Sequence, residues 1–375
     1  MKTFGNIYPR VYTMHNLRLA HKKARKGKTS YTWVKRVDEN PKKYLRRLSR
    51  MLRHKDYTTS PYREFMLEDR GKLREICDLP YFPDRIVHWA LMLQVEPILV
   101  STFINTSYAA IPGRGAHLAL QHLTDCLHHD PEGTQYCLKL DVHKFFPSID
   151  HDILKELMRR KIKCKDTLWL LDEVIDSYTS VLTGKGVPIG NYTSQYFGNF
   201  YLTYFDHWLK ETVFTFTNSE GITEIRQVHY YFRYMDDMVI LSDSKEFLQY
   251  LLGQIQWYLF TYLRLTLKDN YQVFPVDIRG IDFVGYRSFR DYILLRTTTK
   301  KRLKRAMKKI GKCTEKYHDL TEHQRCVVAS YSGVLKWCDG KRLYHKNIYR
   351  VLKHMQVIDK ENDYDEIFYE RARVS

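Results

Sequence analysis

Long apolar runs are missing from this chain of 375 residues. No stretch of about eighteen residues is apolar enough to suggest a membrane span, and the opening Met1-Lys2-Thr3-Phe4-Gly5 lacks the apolar core of an export signal. Cysteine pairs are missing too. The seven cysteines (77, 126, 137, 164, 313, 326 and 338) are odd in number and scattered, with no Cys-x-x-Cys. That pattern excludes a zinc ribbon or a disulfide framework and fits reduced thiols in the cytoplasm. There is no internal repeat and no low-complexity linker. Acidic residues are scarce at both ends: residues 1–60 hold 17 Lys/Arg against 3 Asp/Glu, and residues 296–350 hold 16 against 4. With a total net charge of +18, the remainder of the chain is net acidic. Apolar residues at 44% suffice for a core, and 29 Tyr and 6 Trp are interleaved with the charges. Basic flanks around a mildly acidic middle fit a chain that grips nucleic acid at both ends.

Two stretches carry chemistry. In His229-Tyr230-Tyr231-Phe232-Arg233-Tyr234-Met235-Asp236-Asp237-Met238-Val239-Ile240-Leu241-Ser242, aromatic and β-branched residues run into Tyr234 and out of Met238. This predicts two short strands joined by a tight turn with Asp236 and Asp237 at its tip. Alone, the hairpin equally suits an ordinary surface turn. About ninety-five residues earlier, Tyr136-Cys137-Leu138-Lys139-Leu140-Asp141 reads as an apolar strand ending in an acid, followed by Val142-His143-Lys144-Phe145-Phe146-Pro147-Ser148-Ile149-Asp150. Adjacent buried carboxylates repel and call for a cation. Three of them on neighbouring strands can hold two divalent ions about 3.5–4 Å apart, the spacing used in two-metal phosphoryl chemistry. Asp150 is placed to cap a helix starting near His151.

In this order and at this separation the two stretches resemble the palm of reverse transcriptases. The resemblance, spanning roughly residues 60–350, implies an α+β right-hand polymerase of fingers, antiparallel palm sheet and helical thumb. Its expected divisions are a basic RNA-binding extension (1–60), fingers and palm (61–295), thumb (296–350) and a tail (351–375) too short for an RNase H or zinc endonuclease domain. It implies that Asp141, Asp236 and Asp237 hold two Mg²⁺ ions, with the Val142 carbonyl as a further ligand. Arg74, then Lys72 and more weakly Arg114, are expected on the incoming deoxynucleoside triphosphate, since guanidinium pairs phosphate oxygens bidentately. Phe146 stands at the position of an aromatic gate against the 2′-hydroxyl, with Phe145 as core. Tyr234 and Met235 are expected near the primer end, Gly285 in a primer-grip hairpin, and Lys268 as the acid for the leaving pyrophosphate.

The segment Gly184-Lys185-Gly186-Val187-Pro188-Ile189-Gly190-Asn191-Tyr192-Thr193-Ser194-Gln195 narrows the resemblance. Most relatives carry Gln where Ile189 stands, and intron-type enzymes carry Pro where Gln195 stands. The Ile-Gly-x-x-x-Ser-Gln pattern is similar to the reverse transcriptases of diversity-generating retroelements, bacterial or phage enzymes that copy a template-repeat RNA into cDNA with errors opposite adenine. Ile189, Gly190 and Gln195 are therefore expected around the nascent base pair, and the helix after the loop is expected to start at Thr193 or Ser194. The subtype implies template RNA, the RNA–cDNA duplex and a basic accessory variability protein as partners. A retron or phage-defence reverse transcriptase is the alternative within the enzyme class. A non-catalytic, maturase-like RNA-binding module is the alternative outside it, and it predicts loss of a metal carboxylate, whereas all three are present.

The basic flanks have helical spacing. Leu45, Leu48 and Leu52 share one face of Lys42–Arg53, and Leu303, Met307 and Ile310 share one face of Lys300–Ile310. The cations Lys22, Lys23, Arg25 and Lys26, and Lys300, Lys301, Lys304, Arg305 and Lys308, are expected to contact nucleic-acid backbone, the second group on the RNA–DNA duplex. Phe247, Leu251, Ile255 and Leu259 mark a helix packed beneath the palm.

Overall fold

Strand alternation builds the centre of the molecule. In the computed structural model, which describes residues 3–69, 71–180, 184–317 and 320–353, four antiparallel strands lie in the order Tyr230–Tyr234, Asp237–Ser242, Tyr136–Asp141, Gln272–Pro275. Successive side chains point to opposite faces. Leu138, Leu140, Tyr231, Met238 and Ile240 enter the main core, while Cys137, Phe232, Val239, Leu241 and Phe274 enter a second cluster with Leu123 and Leu127 of the helix Ala116–His129. Both faces are therefore covered, which is why Met238-Val239-Ile240-Leu241 is apolar without a break. The helix Lys245–Leu263 buries Phe247, Leu251, Ile255 and Leu259, as their spacing predicts, and Ser244 caps it by accepting the Phe247 N–H at 3.2 Å.

The first sixty residues pack into the same main core. Helices Met14–Ala24, Thr32–Glu39 and Pro41–His54 bury Leu17, Val34, Leu45, Leu48 and Leu52 there. Asn16 donates to the Ala90 carbonyl of the helix Ile86–Val100 at 2.9 Å. A hairpin of Arg63–Asp69 and Lys72–Asp78 follows. The loop before the helix Tyr192–Tyr201 lies against it, with Cys77 N–H donating to the Ile189 carbonyl at 3.0 Å. That helix begins at Tyr192 with Asn191 as N-cap, earlier than the expected Thr193 or Ser194. Both of those residues are buried, Thr193 beside His88, so their hydroxyls serve packing rather than capping.

Beyond the central sheet, Ile281–Phe283, Tyr286–Ser288 and Ile293–Leu295 form a three-stranded antiparallel sheet. Helices Thr297–Tyr317 and Glu322–Leu335 share with it a separate apolar cluster that includes Leu303, Met307, Ile310 and Leu335. Of the tail expected at 351–375, residues 354–375 lie outside the described residues. None of the seven cysteines forms a disulfide. Among the described residues, no helix is long and apolar enough to cross a membrane.

Candidate active site

Register brings the acids together. Asp141, last residue of its strand, is the direct cross-strand partner of Asp237, first residue of the neighbouring one. Asp236 sits one residue earlier, in the two-residue turn between Tyr234 and Asp237. Met235, the other turn residue, has φ +56°, a left-handed conformation that costs a non-glycine residue about 1–2 kcal/mol. All three carboxylates line one cleft of about 1040 Å³.

Two lysines set the electrostatics. Lys139 Nζ donates to Asp237 Oδ1 at 2.5 Å, and Lys268 Nζ donates to Asp141 Oδ1 while its backbone N–H donates to the Asp141 carbonyl at 2.8 Å. Asp236 has no ion-pair partner among the described residues. Burial, and then the neighbouring Asp141 charge, push its carboxyl up to about 6. Burial raises Asp237 as well, against the pull of Lys139. Among the described residues no three acidic, His or Cys groups are gathered as a ready-made metal cluster. Asp237 and Asp141 are each held by their own ammonium. The donor set nonetheless suits a hard divalent cation: it offers only carboxylate oxygens, and Asp236 meets Asp141 closely enough for their charges to raise its affinity for a proton.

A sequence profile of the family described as "Reverse transcriptase (RNA-dependent DNA polymerase)" matches residues 66–287, more than half of the chain. The chain belongs to the reverse transcriptases. The family activity is RNA-directed DNA polymerisation, a nucleotidyl transfer. This reverse transcriptase is 28% identical over 256 residues to "Protein YkfC" of Escherichia coli, an alignment covering 61% of the chain and 66% of the relative. It is 22% identical over 298 residues to "Group II intron-encoded protein LtrA" of Lactococcus lactis, covering 64% of the chain and 49% of the relative. Over 105 residues it is 27% identical to "Nuclear intron maturase 1, mitochondrial" of Arabidopsis thaliana, 28% of the chain and 14% of that protein. The chain thus spans less than two thirds of these relatives.

Around the carboxylates of this reverse transcriptase, the cleft is lined by Arg74, Val142, Phe146, Ile189, Tyr234, Met235, Lys268 and Gly285. Phe145 is buried and Phe146 half-buried. Both rings press on Gly198, where a Cβ would lie 3.2 Å from Phe145 and 3.3 Å from Phe146. Gly190 lies outside the lining but shapes it: at φ +120°, a Cβ there would come within 3.1 Å of the Cys77 carbonyl. Gly285 follows Val284 in a two-residue turn with both residues at positive φ, the geometry that suits a tight hairpin.

Other expected positions stand elsewhere. Arg114 donates to the Ile104 and Ser107 carbonyls at 2.6 and 2.9 Å and clamps its own loop rather than lining the cleft. Gln195 is exposed and off the lining, and the side chain of Lys72 lies outside the described residues. Arg25 pairs with Asp38 at 2.7 Å, tying two helices together, while Lys22, Lys23 and Lys26 are exposed. Lys300, Lys301, Lys304, Arg305 and Lys308 are exposed, and none of them lines the cleft. Sequence reasoning passed over Lys139, although it shares a strand face with Asp141 two residues on. It also passed over Arg233, fully buried behind the Met235 turn and hydrogen-bonded to the Met235 carbonyl at 3.1 Å.

Proposed function

We propose that the chain copies an RNA template into DNA from deoxynucleoside triphosphates, using Asp141, Asp236 and Asp237 to hold two Mg²⁺ ions. The observation that carries this reading is the cross-strand pairing of Asp141 with Asp237, with Asp236 against Asp141, at one cleft. Divalent ions bound there would lower the pKa of the primer hydroxyl and offset charge on the α-phosphate in the transition state. In this reading Arg74 pairs triphosphate oxygens, Lys268 moves a proton beside Asp141, and Tyr234, Met235 and Gly285 seat the primer end, roles supported by their all lining the cleft. In this reading the hairpin of 63–78 belongs to the fingers, the four-stranded sheet is the palm, and the helices from Thr297 onward are the thumb.

Phe146 is assigned to the sugar gate. Replacing its ring by a methyl opens space under the 2′ position, so Phe146→Ala is expected to raise the ratio of ribonucleotide to deoxynucleotide kcat/KM about tenfold to a hundredfold. Single-nucleotide extension measures it, and an unchanged ratio removes the assignment.

The finer reading is a diversity-generating retroelement enzyme, supported by Ile189 on the cleft lining. A Gln amide at that point both donates and accepts hydrogen bonds, whereas Ile offers only packing. An oriented hydrogen bond is worth about 0.5–1.5 kcal/mol, so Ile189→Gln is expected to lower misincorporation opposite template adenine by up to about tenfold. Sequencing cDNA made on a defined RNA template reads this directly; the link fails if the error spectrum does not move. The same sequencing tests the subtype, because errors confined to adenines support it and uniform fidelity defeats it. An intron-type enzyme is the second reading, favoured by the likeness to the group II intron-encoded protein of L. lactis. The retroelement reading brings with it an accessory variability protein, whose addition to the same assay should sharpen the adenine bias.

A further inference from the structure

The three-stranded sheet has two faces. On the strand Tyr286–Ser288, Tyr286 lines the catalytic cleft and its neighbour Arg287 points to the opposite side. On the helix Thr297–Tyr317, Thr299 lines the cleft, whereas Lys300 and Lys304 turn away from it. These away-facing residues open onto a second cavity of about 430 Å³, and the two cavities share no lining residue.

Five cations surround this second cavity: Arg287, Lys300, Lys304, Arg342 and Lys346. Among the described residues none of them forms an ion pair. One acid, Asp339, is also in the lining, and its carboxylate accepts the Ile293 backbone N–H at 2.7 Å, with the Asp339 N–H donating to the Ile293 carbonyl at 2.8 Å. This backbone clasp fixes the carboxylate, which offsets one of the five positive charges. Leu295, Cys338 and Leu343 contribute apolar lining. Five cations against a single acid leave a net positive surface that repels itself and favours a polyanion. The cations come from the strand Tyr286–Ser288, the long helix Thr297–Tyr317 and the short helical turns Lys341–Tyr344 and His345–Tyr349, so three separate parts of the fold contribute to one positive lining.

We propose that this outer face of the C-terminal module binds the phosphate backbone of RNA, specifically template RNA that lies outside the catalytic cleft. The inference depends on the polymerase reading only for the identity of the polyanion as template. The geometry separates the site from the cleft, so both can be filled at once.

The test uses the full chain preloaded with saturating unlabelled primer–template duplex, then titrated against a fluorescently labelled unstructured RNA. Arg342→Glu/Lys346→Glu is expected to weaken RNA binding about tenfold or more. It should also flatten the plot of log affinity against log salt by about 1.4, some 0.7 for each cation removed. Extension of the preannealed duplex should continue at the wild-type rate, and Arg342→Lys/Lys346→Arg should bind RNA normally, which separates charge from folding. Unchanged RNA affinity and salt slope would overturn the proposal. So would an equal loss of duplex binding, which would assign these cations to the cleft. Displacement of the RNA by polyglutamate as readily as by unlabelled RNA would overturn it too, by marking a general polyanion surface. Because the readout is binding, a chain that failed to extend any primer would sink the polymerase reading and leave this result standing.

Discussion

Asp236→Asn is expected to produce a protein that no longer extends a primer and yet is more stable at neutral pH. The loss follows from the roles proposed for the carboxylates: a neutral amide cannot supply the negative charge that holds a divalent ion between Asp236 and Asp141, and extension should fall at least about 10³-fold. The gain in stability follows from the electrostatics. Burial and the Asp141 charge push Asp236 up to about 6, so above that pH the folded protein holds an ionised acid that the unfolded chain holds at less cost. With the folded pKa above the unfolded one, the penalty is present in full above about 6 and disappears as the pH falls towards 4. Asparagine carries no such penalty. In chelator the variant should therefore gain about 1–3 kcal/mol at pH 8 and little at pH 4. Thermal unfolding at the two pH values measures the gain, and primer extension with Mg²⁺ measures the loss. Retained extension would defeat the metal role; a variant less stable than wild type at pH 8 would defeat the account of the site's strain.

The parts of this design that were legible in the sequence are those written in local periodicity. Strand alternation placed Asp141 at the end of one strand and Asp237 at the start of another, which the resemblance to the reverse-transcriptase palm made neighbours; helical spacing placed Leu45, Leu48 and Leu52 and Leu303, Met307 and Ile310 in cores, and Asp150 caps its helix by accepting the Ile153 N–H at 3.3 Å. What escaped depends on orientation or on partners far along the chain. Periodicity says that Lys300 and Lys304 share a helix face without saying which cavity that face meets. A Gly-Arg-Gly turn does not show that Arg114 spends its guanidinium on carbonyls of its own loop. Lys139 in an apolar strand reads as an outward charge until register sets it diagonally across from Asp237. Arg233 and Asp206 are 27 residues apart, and nothing local announces their pairing.

Arg233→Met is expected to be among the most damaging single changes available outside the carboxylates. Arg233 is fully buried and donates to Asp206 through Nε at 2.8 Å and Nη2 at 2.6 Å. It also donates to Asn199 Oδ1 and to the Met235 carbonyl, each at 3.1 Å. Asp206 further accepts the Tyr231 hydroxyl at 2.7 Å, and Asn199 donates to the Ala109 carbonyl at 2.7 Å. Burial already raises the Asp206 carboxyl in spite of Arg233; without the guanidinium a buried charge is left uncompensated, at a cost of about 3–5 kcal/mol. A fall in Tm of roughly 5 °C follows for a chain of this size. The double variant Arg233→Met/Asp206→Leu removes both charges and should recover most of that stability, since apolar replacement of a buried pair is close to neutral. It does not restore the donor to the Met235 carbonyl, which helps to hold the left-handed residue beside Asp236. The refolded double variant should therefore need more Mg²⁺ for half-maximal extension and remain slower than wild type at saturation. Tm and Mg²⁺ titrations on both variants make the comparison. If the double variant regains wild-type extension and Mg²⁺ dependence, the network serves folding alone, and the turn needs no hydrogen bond from Arg233 to place Asp236.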